Sequence, residues 1–356
     1  MKKQTVVVAL SGGVDSSTAA LILKEQGYEV IGITLKLWTP SAWNNGEKYG
    51  GCCSPADIAH AKEVCRQIGA PHYTFNMEEK FKEKVVDNFV SEYLEGKTPN
   101  PCVRCNSFIK FDILLKYVLA FSADYLATGH YARIDKEGSA YRLGKAADPA
   151  KDQSYFLYML NQAQLSKLLF PVGIYPKKEV RERALKFGLV NALKEDSQDV
   201  CFLEGRSYKE FLQERVPEPI VAGDVRTKEG KILGKHQGLP FYTIGQREGL
   251  GIGGGAKLYV IEKDLKTNSL VVGEESQNLS RSCKVKEVKW CNGTPAPTIK
   301  ASVKIRYRHP GATASIEVLE GDAAAISFDS PQTSITSGQS AVFYDGDYVL
   351  GGGIIA

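Results

Sequence analysis

The chain has 356 residues, 43% hydrophobic and 24% charged, with a formal net charge of +4. That length is long for a single core and suggests two or three domains, while the composition is ordinary for a soluble globular protein and the charge too mild to name a partner. No run approaches the roughly 20 apolar residues that cross a bilayer, and MKKQTVVVAL lacks a signal-peptide pattern, so a cytoplasmic protein is expected. Thr5–Leu10 reads as a strand, Ser16–Gln26 as a helix stopped by Gly27, and Val30–Leu37 as a second strand. Ser54-Pro55-Ala56-Asp57 has the form of a capping box with proline at the first helical position. His72–Asn76 is strand-like. Phe81, Val85, Phe89 and Tyr93 share one helix face, as do Phe111, Leu114, Leu115 and Val118, before a buried strand at Tyr125–Thr128. Strands alternating with helices predict a parallel sheet covered on both faces.

Near residue 205 the pattern changes. Glycines crowd together (Gly245, Gly249, Gly251, Gly253, Gly254, Gly255), and short alternating strands are expected at Lys257–Lys263 and Ser269–Gly273. From about 280 the chain reads as all-β, with strands at Lys284–Trp290, Lys300–Arg306, Ala314–Leu319, Ala323–Phe328, Ser340–Tyr344 and Tyr348–Leu350. Such spacing predicts a small barrel or sandwich. Three domains follow: residues 1–205, 206–278 and 279–356.

Ser11-Gly12-Gly13-Val14-Asp15-Ser16-Ser17 lies between the first strand and the first helix. Glycines let backbone N–H groups approach an anion, and the helix N-terminus adds donors and a positive dipole end. The loop is not a Walker A sequence, because it has no lysine, and it lacks the dinucleotide spacing. Asp15, an acid inside an anion site, makes sense if Mg²⁺ is bound with the phosphates.

Eight cysteines are too few for a disulfide scaffold, so each is core, metal ligand or reactive thiol. Cys105, in Thr98-Pro99-Asn100-Pro101-Cys102-Val103-Arg104-Cys105, is expected close to a helix N-terminus, which favours thiolate. Cys201 ends the α/β region. Cys52, Cys53 and Cys65 read as packing residues, although Cys53 could face the nucleotide. No second C-x-x-C exists, so a four-cysteine zinc site would need scattered ligands. Lys284, Lys286, Lys289, Lys300, Lys304, Arg306 and Arg308 face one acid, Glu287, within 284–308. This stripe suits a phosphate backbone, or is a solvated strand face. Tyr131 and Tyr155 are candidates by type for stacking on splayed bases.

SGGVDSS alone resembles the PP-loop of the ATP pyrophosphatase superfamily. Together with NPCVRCN, ATGHYAR, KDQSYFLY, SQDVCFL and GQSAVFYDGDYVLGGGII, in order along the chain, it resembles the bacterial tRNA-specific 2-thiouridylases. The resemblance implies a Rossmann-like, HUP-type α/β domain with a parallel sheet, a small central mainly-β domain and a C-terminal β-barrel-like domain. It implies adenylation by ATP of the C2 oxygen of the wobble uridine, U34, then displacement of AMP by sulfur. Cys105 then matches the nucleophile and Cys201 the persulfide carrier, with Asp15 on the magnesium pyrophosphate. Ala9, Leu10, Ser11, Gly12, Gly13, Val14, Asp15, Ser16, Leu35 and Gly129 would surround ATP. Asn100, Pro101, Cys102, His130, Lys151, Asp152, Gln153, Arg306, Tyr307 and Gln339 would contact tRNA at the anticodon stem-loop. A direct contact from both Arg306 and Tyr307 needs a strand end or bend, because neighbours on a regular strand point oppositely.

One departure stands out: Cys102 occupies a position where the best-known branch of the family has aspartate. Cys102, Cys105 and Cys201 are therefore also candidates to hold an iron–sulfur cluster, [4Fe-4S], beside the persulfide relay. The expected partners are tRNA and a sulfur donor, either a cysteine desulfurase or a relay protein, and the expected state is a monomer. Two rival readings stay open: a PP-loop ligase for a small molecule, and an RNA-binding iron–sulfur redox protein.

Overall fold

The computed structural model describes residues 3–39, 54–196, 200–252 and 257–356. Cys52, Cys53, positions 197–199 of SQDVCFL and the glycines at 253–255 lie outside the described residues.

β1 (Thr5–Ala9) is a continuous apolar run, as a strand covered on both faces must be. Val6 and Val8 face one cluster with Leu21, Leu23 and Val64, and Val7 faces the other with Phe111 and Leu126. α1 (Val14–Glu25) follows, then β2 (Glu29–Lys36), α2 (Pro55–Gln67), β3 (His72–Asn76) and, after further helices, β4 (Tyr125–Thr128). With β7 (Leu168–Leu169) these form a parallel sheet ordered β3-β2-β1-β4-β7. The expected capping box at α2 is present: Asp57 N donates to Ser54 Oγ at 3.1 Å and Ser54 N to Asp57 Oδ2 at 3.3 Å.

Between β4 and β7 the chain inserts a hairpin that the sequence pattern does not announce, β5 (Ala132–Glu137) and β6 (Ala140–Lys145). β8 (Gly223–Arg226), β9 (Ile232–His236), β10 (Tyr259–Asp264) and β11 (Ser269–Gly273) make a small mixed sheet ordered β10-β11-β8-β9. The last six strands are β12 (Leu279–Trp290), β13 (Thr298–Lys304), β14 (Ala312–Leu319), β15 (Ala323–Thr333), β16 (Ser340–Asp345) and β17 (Tyr348–Ile355). β12 pairs with both β15 and β17, which closes a six-stranded barrel around Val285, Val303, Ile316, Ile326 and Phe343. β6 attaches to the barrel at Gly144 opposite Tyr348. The strand expected at Lys300–Arg306 ends at Lys304, and the chain bends from Ile305.

The barrel is fastened to the α/β unit by buried polar contacts. Tyr155, fully buried, donates its hydroxyl to the Ser340 carbonyl at 2.9 Å, and the hydroxyls of Ser154 and Tyr344 lie 3.2 Å apart. Burial pushes the Tyr155 phenol well above its ordinary range, so it stays a donor. Tyr155→Phe leaves the Ser340 carbonyl without this donor and is expected to lower stability by about 1–3 kcal/mol, read as a shift in the urea unfolding midpoint.

Candidate active site

In a parallel sheet, ligands bind beyond the C-terminal strand ends, where the strand order reverses. Here that point lies between β1 and β4. Ser11, Gly12 and Gly13 leave β1 there, and Gly129 and His130 leave β4. Gly12 has φ +72°, and a Cβ on it would sit 2.6 Å from the Asp57 carbonyl oxygen. A Cβ on Gly129 would sit 2.5 Å from Ser16 N. Only glycine permits these two backbone approaches. Ser11 N donates to Ser16 Oγ at 3.2 Å, and Ser16 Oγ donates to the Gly13 carbonyl at 3.2 Å, which curls the loop. Gly13 begins α1 without a capping side chain. The first-turn N–H groups therefore remain directed at whatever the loop holds. Of the expected nucleotide residues, Ala9 to Ser16 and Gly129 come together here. Leu35 lies buried on the adjacent β2, in register with Phe75.

The sequence pattern missed the loop's polar surroundings. Asp15 accepts a hydrogen bond from Tyr131 Oη at 2.7 Å, and Lys177 Nζ lies 2.7 and 2.8 Å from its two oxygens. Lys177 also meets Asp196 at 2.6 Å, and Asp196 is shared with Lys151 at 2.8 Å and Arg181 at 3.3 Å. Burial works to raise the Asp196 pKa, but hydrogen bonds from Lys151 and Lys177 prevail and hold it below the ordinary carboxylate range. Burial, then the Asp15 charge, drives the Tyr131 phenol far upward, so it remains protonated. Asn191 Nδ2 donates to the Gly12 carbonyl and to Ser17 Oγ, both at 2.9 Å, and Lys194 pairs with the buried Asp57. No local signal marked Lys177, Asn191 or Lys194, because each reaches the loop from more than 150 residues away, and Asp196 joins it only through Lys177. Tyr131 is 2% exposed and Tyr155 fully buried, so neither offers a face for stacking on a base.

Asn100 caps the cysteine-bearing helix through Val103 N at 3.3 Å, with Pro101 at its first position. Cys102, exposed, is in the first turn, and Cys105, buried, lies one turn further, where the helix widens into a π-helical stretch at Cys105–Leu114. The dipole falls off within the first turn, so it acts more on Cys102 than on Cys105. The helix reaches the nucleotide loop through Phe111. Its ring packs on His130 at 5.7 Å, directly after the Gly129 that abuts Ser16. Burial between Phe111 and Phe170, with the Lys110 charge nearby, holds His130 well below the ordinary imidazole range, so the ring is neutral. Cys105 belongs to, and Cys201 packs against, the same apolar cluster, where Phe202 is fully buried among Phe81, Phe89 and Phe211. Among the described residues, no three His, Cys, Asp or Glu side chains are grouped to hold a metal ion, Cys102, Cys105 and Cys201 included.

The residues expected at the RNA surface divide. Gln339 Nε2 donates to the Thr98 carbonyl at 2.9 Å, which ties the barrel to the lead-in of the cysteine helix. Asn106 Nδ2 donates to the Phe156 carbonyl at 3.1 Å, and the Phe156 ring lies 4.6 Å from that of Tyr307. One seam thus joins 98–106, 151–159, the bend after Lys304 and 337–340. Arg306 flanks it, bonding the Thr333 carbonyl at 3.3 Å. Asp152 is buried and accepts from Ala146 N and Ser154 N, each at 3.1 Å. Gln153 Oε1 accepts from Tyr131 N at 2.9 Å, and Lys151 is held by Asp196. Lys284, Lys286, Lys289, Lys300 and Arg308 are exposed, whereas Lys304 and Arg306 are half-buried. No helix among the described residues is long and apolar enough to cross a membrane.

Three family models match in succession: a tRNA methyl transferase HUP domain over 4–205, the PRC-barrel domain of the same series over 209–274, and an aminomethyltransferase beta-barrel domain over 280–355. The tRNA-specific 2-thiouridylase MnmA of Heliobacterium modesticaldum is 46% identical over 99% of this chain and 92% of its own. The relative of the same name from Clostridium acetobutylicum is 46% identical over 98% of this chain and 99% of its own. The chain belongs to the MnmA family. A predicted tRNA methyltransferase subunit from Methanocaldococcus jannaschii overlays 51% of this chain and 76% of its own at 22% identity, with a TM-score of 0.31. The family membership agrees with an α/β domain followed by two β domains, the order read from the sequence.

Two outcomes test the site. Gly129→Ala pushes the Asp15–Ser16 backbone aside and is expected to weaken ATP binding about tenfold or more by calorimetry. The lowered Asp196 pKa favours the folded state at neutral pH. That contribution is complete above the unfolded carboxylate value of about 3.9 and is lost as pH falls through the lower folded value. Urea titrations between neutral and acid pH are expected to show a shallower acid loss in Asp196→Asn.

Proposed function

We propose that this protein is a tRNA-uridine 2-sulfurtransferase, in which ATP adenylates the C2 oxygen of U34 and sulfur then replaces that oxygen to give 2-thiouridine. The uridine oxygen attacks the α-phosphorus, and the electron pair of the broken bond leaves with pyrophosphate. Cys201 carries a persulfide received from a cysteine desulfurase or relay protein. Cys105 thiolate attacks the inner sulfur of that persulfide and forms a disulfide with Cys201. The outer sulfur departs with the electron pair as hydrosulfide, adds to C2, and AMP leaves with the original oxygen. An external thiol reduces the disulfide before the next turnover.

The observation that carries this reading is the packing path from the cysteine helix to the nucleotide loop, Phe111 on His130 and Gly129 on Ser16. A small-molecule ligase gives no use for that junction or for the thiols. An RNA-binding redox protein gives none for the loop. Mg²⁺ needs few protein ligands when phosphates and water supply most oxygens, so Asp15 alone fits it, and it would neutralise the pyrophosphate charge. An iron–sulfur cluster does not fit, because the three thiols are not gathered, and no step is routed through one.

The seam joining 98–106, 151–159, 305–308 and 337–340 is the proposed place for the anticodon stem-loop. Asn100, Pro101, Cys102 and Tyr307 lie along it. Gln339, Lys151, Asp152 and Gln153 hold its walls through the internal bonds described above. The exposed lysines of β12 and β13 offer charge to the flanking phosphates. Three domains, 1–205, 206–278 and 279–356, share these tasks in a cytoplasmic monomer.

Cys105→Ser and Cys201→Ser are each expected to abolish 2-thiouridine formation, measured by mass spectrometry of tRNA nucleosides, while tRNA binding and pyrophosphate release persist. Near-normal thiolation by either variant with a persulfide donor would remove the relay.

A further inference from the structure

Just after Cys201 the backbone enters the left-handed region at a residue that is not glycine. Glu204 has φ +56°, and the Gly205 that follows has φ +76°. They are the central residues of a tight turn closed by Arg206 N donating to the Leu203 carbonyl at 2.9 Å. Positive φ at both central positions suits Asn, Asp or Gly, and a glutamate there is strained. The preceding turn, closed by Leu203 N on the Val200 carbonyl at 3.0 Å, has Cys201 and Phe202 at its centre. The two turns share Leu203, so the second sets where the first one sits. Glu204 is also buried, its side chain 4% exposed. One carboxylate oxygen accepts from Trp38 Nε1, and the other accepts from the Arg206 guanidinium at 3.2 Å. Arg206 is held in turn by Glu214 at 2.6 Å, on the Tyr208–Arg215 helix. We propose that Glu204 is a positioning residue for Cys201: tied to Trp38 and Arg206, it fixes the turn that presents the Cys201 sulfur to Cys105. This role rests on the reading of Cys201 as the persulfide carrier.

Two features of the packing support it. Phe202 is fully buried, its ring 5.1 Å from Phe89, 5.2 Å from Phe211 and 5.9 Å from Phe81. That ring alone fixes one point and leaves the segment free to pivot about it. Glu204 adds a second anchor on the far side of Leu203, and two anchors remove the pivot. A glycine at 204 would adopt the same φ without strain, but it would leave Trp38 and Arg206 untethered. Trp38 itself stands just beyond the end of β2, on the stretch that carries Leu35, with the Arg215 guanidinium 4.7 Å over its ring. The sulfur-bearing turn is therefore tied to the C-terminal edge of the parallel sheet, where the glycine loop opens. In the transfer, the Cys105–Cys201 bond forms as the outer sulfur leaves with the electron pair of the broken S–S bond. The rate of that step follows the effective concentration of one sulfur at the other, which a fixed turn raises.

The test uses two full-length variants. Glu204→Gly relieves the strain and removes the tether, and Trp38→Phe keeps a ring but removes the donor. Each is equilibrated with reduced and oxidised glutathione, the oxidised form taking the two electrons as Cys105 and Cys201 join and leaving as two thiols. Trypsin cleaves after Arg104 and so separates Cys102 from Cys105, and mass spectrometry of the linked peptides then reads the Cys105–Cys201 disulfide alone. The effective concentration of this pair is expected to fall about tenfold or more in both variants, and kcat for 2-thiouridine formation to fall with it. KM for tRNA and single-turnover pyrophosphate release are expected to keep their wild-type values. The double variant is expected to lose no more than the worse single one, because both residues act through one bond. Glu204→Gln, whose amide oxygen still accepts from Trp38, is expected to recover most of the loss. Wild-type disulfide equilibrium and kcat in Glu204→Gly would overturn the positioning role and leave the relay intact. A lowered urea midpoint with both readouts unchanged would assign Glu204 to folding alone and overturn it as well. Wild-type protein that forms no Cys105–Cys201 disulfide at any glutathione ratio would overturn the relay itself, and the positioning role with it.

Discussion

A carboxylate inside a phosphate-binding loop must be neutralised, and much of the α/β unit is arranged around that requirement. Asp15 would repel a triphosphate if it stood alone. It is instead held by the Lys177 ammonium and the Tyr131 hydroxyl. Lys177 is shared with Asp196, and Asp196 with Lys151 and Arg181. This network draws the Lys177–Phe187 helix, the 146–153 segment and the approach to Cys201 against one end of α1. The glycine loop, the 146–153 segment and Asp196 are therefore fastened through the same group of side chains.

The second requirement is close backbone approach. Gly12 against Asp57 and Gly129 against Ser16 bring the ends of β1 and β4 together more tightly than any side chain would allow. The cysteine helix leans on this junction through Phe111 and His130. Burial lowers the pKa of the His130 imidazole, whose Nδ1 lies 2.6 Å from Thr128 Oγ1. Cys105 is buried and Cys102 exposed, so the two thiols of this helix differ in access.

The β domains do more than extend the surface. Gln339 and Ser337 bond the Thr98 backbone, and Arg104, next to Cys105, sits between Glu92 at 3.5 Å and Glu287 of the barrel at 3.6 Å. The cysteine-bearing segment is thus positioned from the barrel. Glu287, the one acid in the basic stripe, holds a left-handed backbone (φ +53°) at a bulge in β12. Its place against Arg104 gives that strained position a use.

The sequence alone determined the parallel sheet, the glycine loop, the start of α2 and the succession of an α/β region by two β regions. Each of these is written in short-range patterns: apolar runs, β-period alternation, capping residues and glycines at fixed offsets. It also marked Cys105 and Cys201 by their motifs, and it stated that Arg306 and Tyr307 could act together only at a bend, which begins at Ile305. It did not reveal the β5–β6 hairpin's attachment to the barrel, the lysine that pairs with Asp15, or the burial of Tyr131 and Asp152. Lys177 opens a helix like many others, and Tyr131 is an aromatic like many others. Their roles arise only when strands distant in the chain pair and bring charges within 3 Å, a matter of tertiary distance that no local periodicity encodes.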